Sequence, residues 1–216
     1  MSLITLTDPR SPVSEAYRKL RTNLSFYSLD DPIKTLVVTS AEPNEGKSTT
    51  VANLAVTMAQ AGNKTIVVDC DLRKPSLHTL FDLPNDKGFT DLMLSDADEL
   101  PLQKIAAVDN LFVLTSGEIP PNPADILGSK KVTGIIERLV NSADIVLFDA
   151  PPVIAVTDAV VLGTKVDGVL LVLQAGKSRR DHAERAKQLL EQAKVRIVGA
   201  TLTNAPKDDA VSSYYG

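Results

Sequence analysis

The chain has 216 residues, of which 44% are hydrophobic and 23% charged, a size and apolar content typical of one compact domain with its own core. The formal net charge of -4 argues against a nucleic-acid partner, because binding to a phosphate backbone needs a clustered cationic surface. The single cysteine, Cys70, excludes an intramolecular disulfide and a cysteine-based zinc cluster, and with no signal sequence it predicts the reducing cytoplasm. No apolar run approaches the roughly 20 residues that cross a bilayer, so we expect any membrane association to come through a partner.

Short runs rich in Val, Ile and Leu recur along the chain without polar alternation, as in strands covered on both faces of a parallel sheet. They are Thr35–Thr39, Thr65–Val68, Leu111–Thr115, Ile145–Phe148, Val169–Leu173 and Ile197–Leu202. Helix formers fill Ser48–Gln60 and Arg180–Gln192, and Gly62 lies where a helix C-terminal glycine is expected. The pattern predicts an α/β fold with a mostly parallel sheet flanked by helices. We expect one domain over residues 1–204, with an N-terminal helix at about residues 11–28, and a mobile polar tail over residues 205–216.

The first predicted strand leads into Ser40–Thr49 (SAEPNEGKST), and a helical pattern follows. This strand–loop–helix context is the one in which a phosphate-binding loop, or P-loop, functions. Gly46 lets backbone amides approach phosphate oxygens, Lys47 neutralises their charge, and Ser48 offers its hydroxyl to Mg²⁺ at the helix N-terminus. The loop therefore predicts binding of ATP with Mg²⁺.

Three other loop positions bear on this prediction. Glu45 and Thr49 complete the predicted cofactor-binding stretch, whereas Ala41 stands where the usual pattern has its first glycine. A Gly-Lys-Ser turn that arose by chance is the alternative. The strand before the loop, the helix after it and acidic residues downstream favour the P-loop.

Acidic residues follow two further predicted strands. Ile66–Val68 leads to Asp69 and Asp71, and Ile145–Phe148 leads to Asp149. Because the carboxyl ends of parallel strands meet at one edge of a sheet, these side chains should face the P-loop. Carboxylate, hydroxyl and phosphate oxygens are the ligands that Mg²⁺ prefers. Aspartates that only shape turns or cap helices are the alternative interpretation.

Taken together, these residues resemble the bacterial tyrosine kinases of capsule and exopolysaccharide synthesis. The likeness is carried by Ser11–Asn23 (SPVSEAYRKLRTN), the P-loop, Val67–Pro75 (VVDCDLRKP), Ser116–Pro123 (SGEIPPNP), Asp149–Pro152 (DAPP) and a tyrosine-bearing tail. It implies a P-loop NTPase fold related to the septum-site and partition ATPases. The resemblance further implies that Lys47 and Ser48 bind phosphate and magnesium and that Asp71 and Asp149 support the metal. Asp69 is then the candidate base, since a tyrosine hydroxyl with a pKa near 10 is a weak nucleophile until its proton is accepted.

The N-terminal helix carries Glu15, Arg18 and Arg21 at every third position. Spaced charges of this kind are common on a solvated helix face. The spacing is similar to the Glu-x-x-Arg-x-x-Arg oligomerisation helix of the kinase family, which favours a subunit contact made by arginine pairing.

Tyr214 and Tyr215 lie side by side in the polar tail. They have no core to fill, so we interpret them as phosphoacceptors, with docking of the tail on the domain as the alternative. Asn204, after the last predicted strand, is a candidate for adenine recognition, although a turn role fits as well.

The resemblance implies a tyrosine autokinase that phosphorylates its own tail within a homo-oligomeric ring. Its implied partners are a membrane-spanning activator, a cognate tyrosine phosphatase and protein tyrosine substrates, and its implied location is the cytoplasm, at the inner face of the membrane. One alternative is an ATPase switch of the septum-positioning or partition type, but Glu42 occupies the position of that group's signature lysine. A scaffold that binds ATP without kinase activity is the other.

Overall fold

The computed structural model describes residues 3–27, 32–94 and 99–206. The strands are β1 (Thr35–Ser40), β2 (Thr65–Asp69), β3 (Gln103–Lys104), β4 (Leu111–Leu114), β5 (Ile145–Asp149), β6 (Gly168–Gln174) and β7 (Ile197–Thr203). They form one sheet of seven strands in the order β3-β4-β2-β5-β1-β6-β7. Neighbouring strands are parallel except β3 and β4, which are antiparallel. The predicted α/β fold is confirmed, and the six predicted strands agree with the structure to within one residue at each end.

Helices cover both faces of the sheet. They are α1 (Ile4–Thr7), α2 (Pro12–Tyr27), α3 (Lys47–Gln60), α4 (Leu77–Phe81), α5 (Phe89–Leu94), α6 (Pro123–Gly128), α7 (Lys130–Val140), α8 (Asp158–Gly163) and α9 (Arg180–Gln192). Leu36 and Val38 of β1 join the apolar cluster that contains α3, whereas Val37 between them joins the cluster of α7, α8 and α9. Alternate side chains of a buried strand thus contact opposite helical layers, which explains why these strands are apolar throughout.

The long helix α2 packs on α3 through one side. It starts with Pro12, whose fixed φ suits the first helical position, and its Leu24 is buried in the same cluster as α3. Among the described residues, no helix has both the length and the apolar character needed to cross a bilayer.

The sheet order brings three strand ends to one edge. The P-loop follows β1, and β5 lies between β1 and β2. The register pairs Asp69 at the end of β2 with Asp149 at the end of β5. The predicted convergence of these strand ends is therefore present.

Candidate active site

The loop between β1 and α3 is shaped to bind an anion. Gly46, just before α3, has a left-handed backbone with φ 91, and a β-carbon there would lie 3.2 Å from the Thr203 side chain, so this position requires glycine. In the described ranges, no acceptor faces the backbone amides of Glu45 to Thr49. Free amides at the N-terminus of a helix of 14 residues form the environment that a phosphate group needs.

Lys47 lies among the acidic side chains. Its Nζ is 2.7 Å from Asp71 Oδ2 and 3.1 Å from Asp149 Oδ1, and it donates a hydrogen bond of 3.0 Å to Ser48 Oγ. The exposed fraction of the side chain is 12% for Lys47, 5% for Asp71 and 0% for Asp149. The lysine is thus the counter-ion of two buried carboxylates.

The charges of this cluster shift one another's protonation. Burial tends to lower the pKa of Lys47, but the carboxylates of Asp149 and Asp71 outweigh it and raise this pKa to about 12. Burial raises the pKa of Asp149, and the ammonium of Lys47 opposes that shift. Lys47 therefore stays charged over the whole physiological range.

Asp69 is held differently from the other two aspartates. It is fully buried; its Oδ1 accepts from the Asp71 amide at 3.2 Å, and its Oδ2 accepts from the amides of Ser76 and Leu77, each at 2.9 Å. Burial, reinforced by the charge of Asp149, raises the pKa of Asp69 to about 7, although the two amides that donate to Oδ2 favour the carboxylate. Asp69 thus fixes the turn after β2, and its role as the base stays a prediction.

The donor set fits Mg²⁺ bound together with a nucleotide. Asp149 Oδ2 is buried without a hydrogen-bond partner in the part of the chain that the structure describes, and Asp71 Oδ2 and Ser48 Oγ lie around the same ammonium. No group of three or more His, Cys, Asp and Glu side chains forms a metal site among the described residues. Mg²⁺ usually takes one or two protein carboxylates and completes its shell with water and substrate phosphate.

Comparison with known proteins places this geometry in a family. The model of the ParA family, described as "NUBPL iron-transfer P-loop NTPase", matches residues 33–204. The tyrosine-protein kinase YwqD of Bacillus subtilis is 43% identical over 213 residues, which cover 99% of this chain and 90% of YwqD. The chain belongs to the bacterial tyrosine-protein kinases, on the ParA-type P-loop fold. This confirms the family expected from the motifs.

Two solved structures resemble this chain, and the second of them supports the fold alone. The chimerical protein CapA2B2 superposes with a TM-score of 0.90 and 37% identity, covering 95% of this chain and 90% of that one. The septum-site-determining protein MinD of Pyrococcus horikoshii shares the fold, with a TM-score of 0.66 and 21% identity over 83% of this chain and 76% of that one. The expected relation to the septum-site ATPase fold is confirmed.

Contacts within the kinase chain engage Glu15, Arg18 and Arg21 of α2. Arg18 Nε lies 2.7 Å from Glu15 Oε2, and its Nη2 donates to the Pro9 carbonyl at 2.9 Å. Arg21 donates to the Thr57 carbonyl of α3 at 2.8 Å. A subunit contact through these residues stays a prediction, and the structure adds that Arg21 links α2 to the C-terminal turn of the P-loop helix.

The remaining predicted site residues lie at the end of β7 and beyond it. Asn204 is exposed and has a left-handed backbone with φ 51, so a turn role is evident and adenine recognition stays a prediction. Tyr214 and Tyr215 lie outside the described residues.

An ion pair beside the site was missed by sequence reasoning. Arg73 Nε and Nη2 donate to the two carboxylate oxygens of Asp158 at 2.9 and 3.1 Å, and the Asp158 side chain has 0% exposure. The partners are 85 positions apart, so no local pattern signals the pair. It ties the turn after β2 to the first residue of α8.

Proposed function

We propose that this kinase transfers the γ-phosphate of ATP to Tyr214 and Tyr215 of its own tail, between subunits of a ring. The observation that carries the proposal is the convergence of free loop amides, Lys47 and the carboxylates of Asp71 and Asp149 at one edge of the sheet. Such a site binds a nucleotide with Mg²⁺ and leaves the terminal phosphate open to a nucleophile.

The point at which the described chain leaves the sheet supports these acceptors. The Thr203 hydroxyl donates to the Glu45 carbonyl of the P-loop at 2.7 Å, so the chain leaves β7 beside the P-loop. Tyr214 lies ten positions after Asn204, and at about 3.5 Å per position the chain between them spans at most about 35 Å. This reach suffices for a neighbouring subunit's site as well as for the chain's own.

The proposed chemistry is an in-line displacement. The tyrosine oxygen attacks the γ-phosphorus, the bond to the oxygen that bridges the β- and γ-phosphates breaks, and ADP leaves. Lys47 turns from its carboxylates to the β- and γ-phosphates, and the phenolic proton passes to a carboxylate, for which Asp69 is the candidate. Ser48, Asp71 and Asp149 would hold Mg²⁺, which would neutralise part of the phosphate charge.

The cellular role follows from the family resemblance. We infer regulation of capsular or exopolysaccharide synthesis and export by cycles of tail phosphorylation, with a cognate phosphatase reversing the modification. A membrane-spanning activator recruits the kinase from the cytoplasm to the inner face of the membrane. The likeness to the chimerical protein CapA2B2 supports the search for a partner that completes the site.

The test is the intact mass of the chain after incubation with ATP and Mg²⁺, with and without a candidate activator tail. The wild type should gain phosphate, and Lys47→Met and Tyr214→Phe/Tyr215→Phe should not. Mixing the last two variants tests transfer between subunits, because phosphate on the Lys47→Met chain can come only from its neighbour. Hydrolysis of ATP without phosphate gain would instead favour an ATPase switch.

A further inference from the structure

Glu45 is a buried acid inside the phosphate-binding loop. Its side chain belongs to a residue with 1% exposure, and no Lys, Arg or His side chain lies within ion-pair distance of it in the described ranges. A buried carboxylate without a cation is unfavourable unless hydrogen bonds satisfy it. A negative charge beside a phosphate site also opposes anion binding. The carboxylate of Glu45 therefore needs hydrogen-bond donors to offset its burial.

Two donors from different segments satisfy this carboxylate. Oε2 accepts from the Glu42 amide at 2.8 Å, which closes the loop on itself. Oε1 accepts from the hydroxyl of Ser178, 133 positions away in the connection between β6 and α9. Each oxygen of the carboxylate therefore has one donor from the protein.

Ser178 is itself fixed. Its Oγ accepts from the Gln174 amide at 2.7 Å, and its own amide donates to the Gln174 carbonyl at 2.9 Å. The turn that carries Ser178 is thus anchored to the end of β6, which pairs with β1 and β7. Because the Ser178 hydroxyl is fixed, it can also fix the position of the P-loop through its bond to Glu45.

We infer that Ser178 and Glu45 form a clamp that sets the phosphate-binding shape of the loop, and that Ser178 is a positioning residue for nucleotide binding. This inference rests on the proposed use of the loop for nucleotide phosphates. Without the hydroxyl, the Glu45 carboxylate keeps one donor and is free to rotate toward the loop amides. It then competes with the phosphates for those amides and repels them.

The test measures the affinity of the full-length chain for a fluorescent ADP in Mg²⁺ by titration. Ser178→Ala should weaken binding about tenfold, on the scale of one hydrogen bond to a charged group. Ser178→Thr keeps a hydroxyl and should restore affinity to within about threefold of wild type. Ser129→Ala is the matched control, because Ser129 is half-buried like Ser178 and its Oγ has no hydrogen-bond partner in the described chain.

A second comparison separates the clamp from a purely structural role. In a Glu45→Gln background, which removes the charge, Ser178→Ala should weaken binding less than about threefold, because the two residues act as a unit. A lower melting temperature with unchanged ADP affinity, or equal losses in both backgrounds, would overturn the inference. If the wild type binds ADP tightly but transfers no phosphate, the proposed kinase function fails while the affinity data still decide the clamp. A wild type that binds no nucleotide would overturn both.

Discussion

Replacing Lys47 with methionine removes the positive charge that lies between two buried carboxylates. The variant is expected to lose phosphate transfer, but the structure predicts a second effect in the absence of any nucleotide. Asp71 and Asp149 would keep their burial and lose their counter-ion. The folded chain should therefore become less stable.

The size of this effect follows from the burial of the three side chains. Breaking a buried ion pair by removing one partner lowers the free energy of unfolding by about 3 to 5 kcal/mol. For a chain of this size, about 1 kcal/mol moves the melting temperature by roughly 2 to 4 °C, so the expected decrease is about 6 to 20 °C. In the folded chain the pKa of Lys47 is raised to about 12, which means that the charged form of this lysine stabilises the fold. That contribution is complete at neutral pH and is lost only as the pH rises through the folded-state value.

Thermal unfolding in EDTA, without nucleotide, measures the effect. Lys104→Met is the matched control, because Lys104 Nζ lies 4.0 Å from Asp109 and the two side chains are 61% and 96% exposed, a surface pair that contributes about 0 to 1 kcal/mol. Adding Mg²⁺ alone should stabilise Lys47→Met more than the wild type, since the metal can replace the missing ammonium. Equal melting temperatures for wild type and Lys47→Met would refute the counter-ion role of the lysine.

Two pairs of substitutions test the packing around the site. A β-carbon at Gly88 would lie 2.1 Å from a backbone carbonyl oxygen, whereas one at Gly134 in α7 meets nothing within 4 Å. In urea unfolding, Gly88→Ala should therefore lower the free energy of unfolding by at least about 1 to 3 kcal/mol, and Gly134→Ala should raise it by about 0.5 to 1 kcal/mol. Equal effects of the two substitutions would contradict the close contact at Gly88. Arg73→Ala leaves the buried carboxylate of Asp158 unpaired and should lower the free energy of unfolding by about 1 to 3 kcal/mol. Arg179→Ala breaks a pair of the same bidentate geometry between side chains 66% and 60% exposed and should change little; a similar loss in both variants would show that burial does not set the energy.

The sheet and the P-loop could be predicted because their signals are local. Strands buried on both faces need continuous apolar runs, and the edge that β1, β2 and β5 share follows from parallel pairing. The two-residue strand β3 and the short helices α1, α4, α5, α6 and α8 were not predicted, since four to six residues give too little periodicity. The helix α7, with 11 residues, was also not predicted. The ion pairs of Lys47 with Asp71 and Asp149 were also missed, because the P-loop motif assigns this lysine to phosphate and gives no information on the counter-ion of the two carboxylates.

Long-range polar contacts lay beyond sequence reasoning. The partners Ser178 and Glu45 are separated by 133 positions, and no single motif contains both of them. The contact of Arg21 could not be predicted for the same reason. The spacing of Glu15, Arg18 and Arg21 favours a subunit contact, whereas the structure shows that Arg21 donates to the Thr57 carbonyl of its own chain. Hydroxyl and guanidinium groups find such partners only once the fold has brought distant segments together.

The measurement that tests the account most directly is the phosphate content of the tail in wild type and in Asp71→Asn, by intact mass with ATP, Mg²⁺ and the activator tail. Asparagine keeps the shape of Asp71 and removes the charge that pairs with Lys47 at 2.7 Å. We predict that the wild type gains phosphate at Tyr214 and Tyr215 and that Asp71→Asn gains none while still folded. Full phosphorylation of Asp71→Asn, or of wild type at residues other than these tyrosines, would contradict the account.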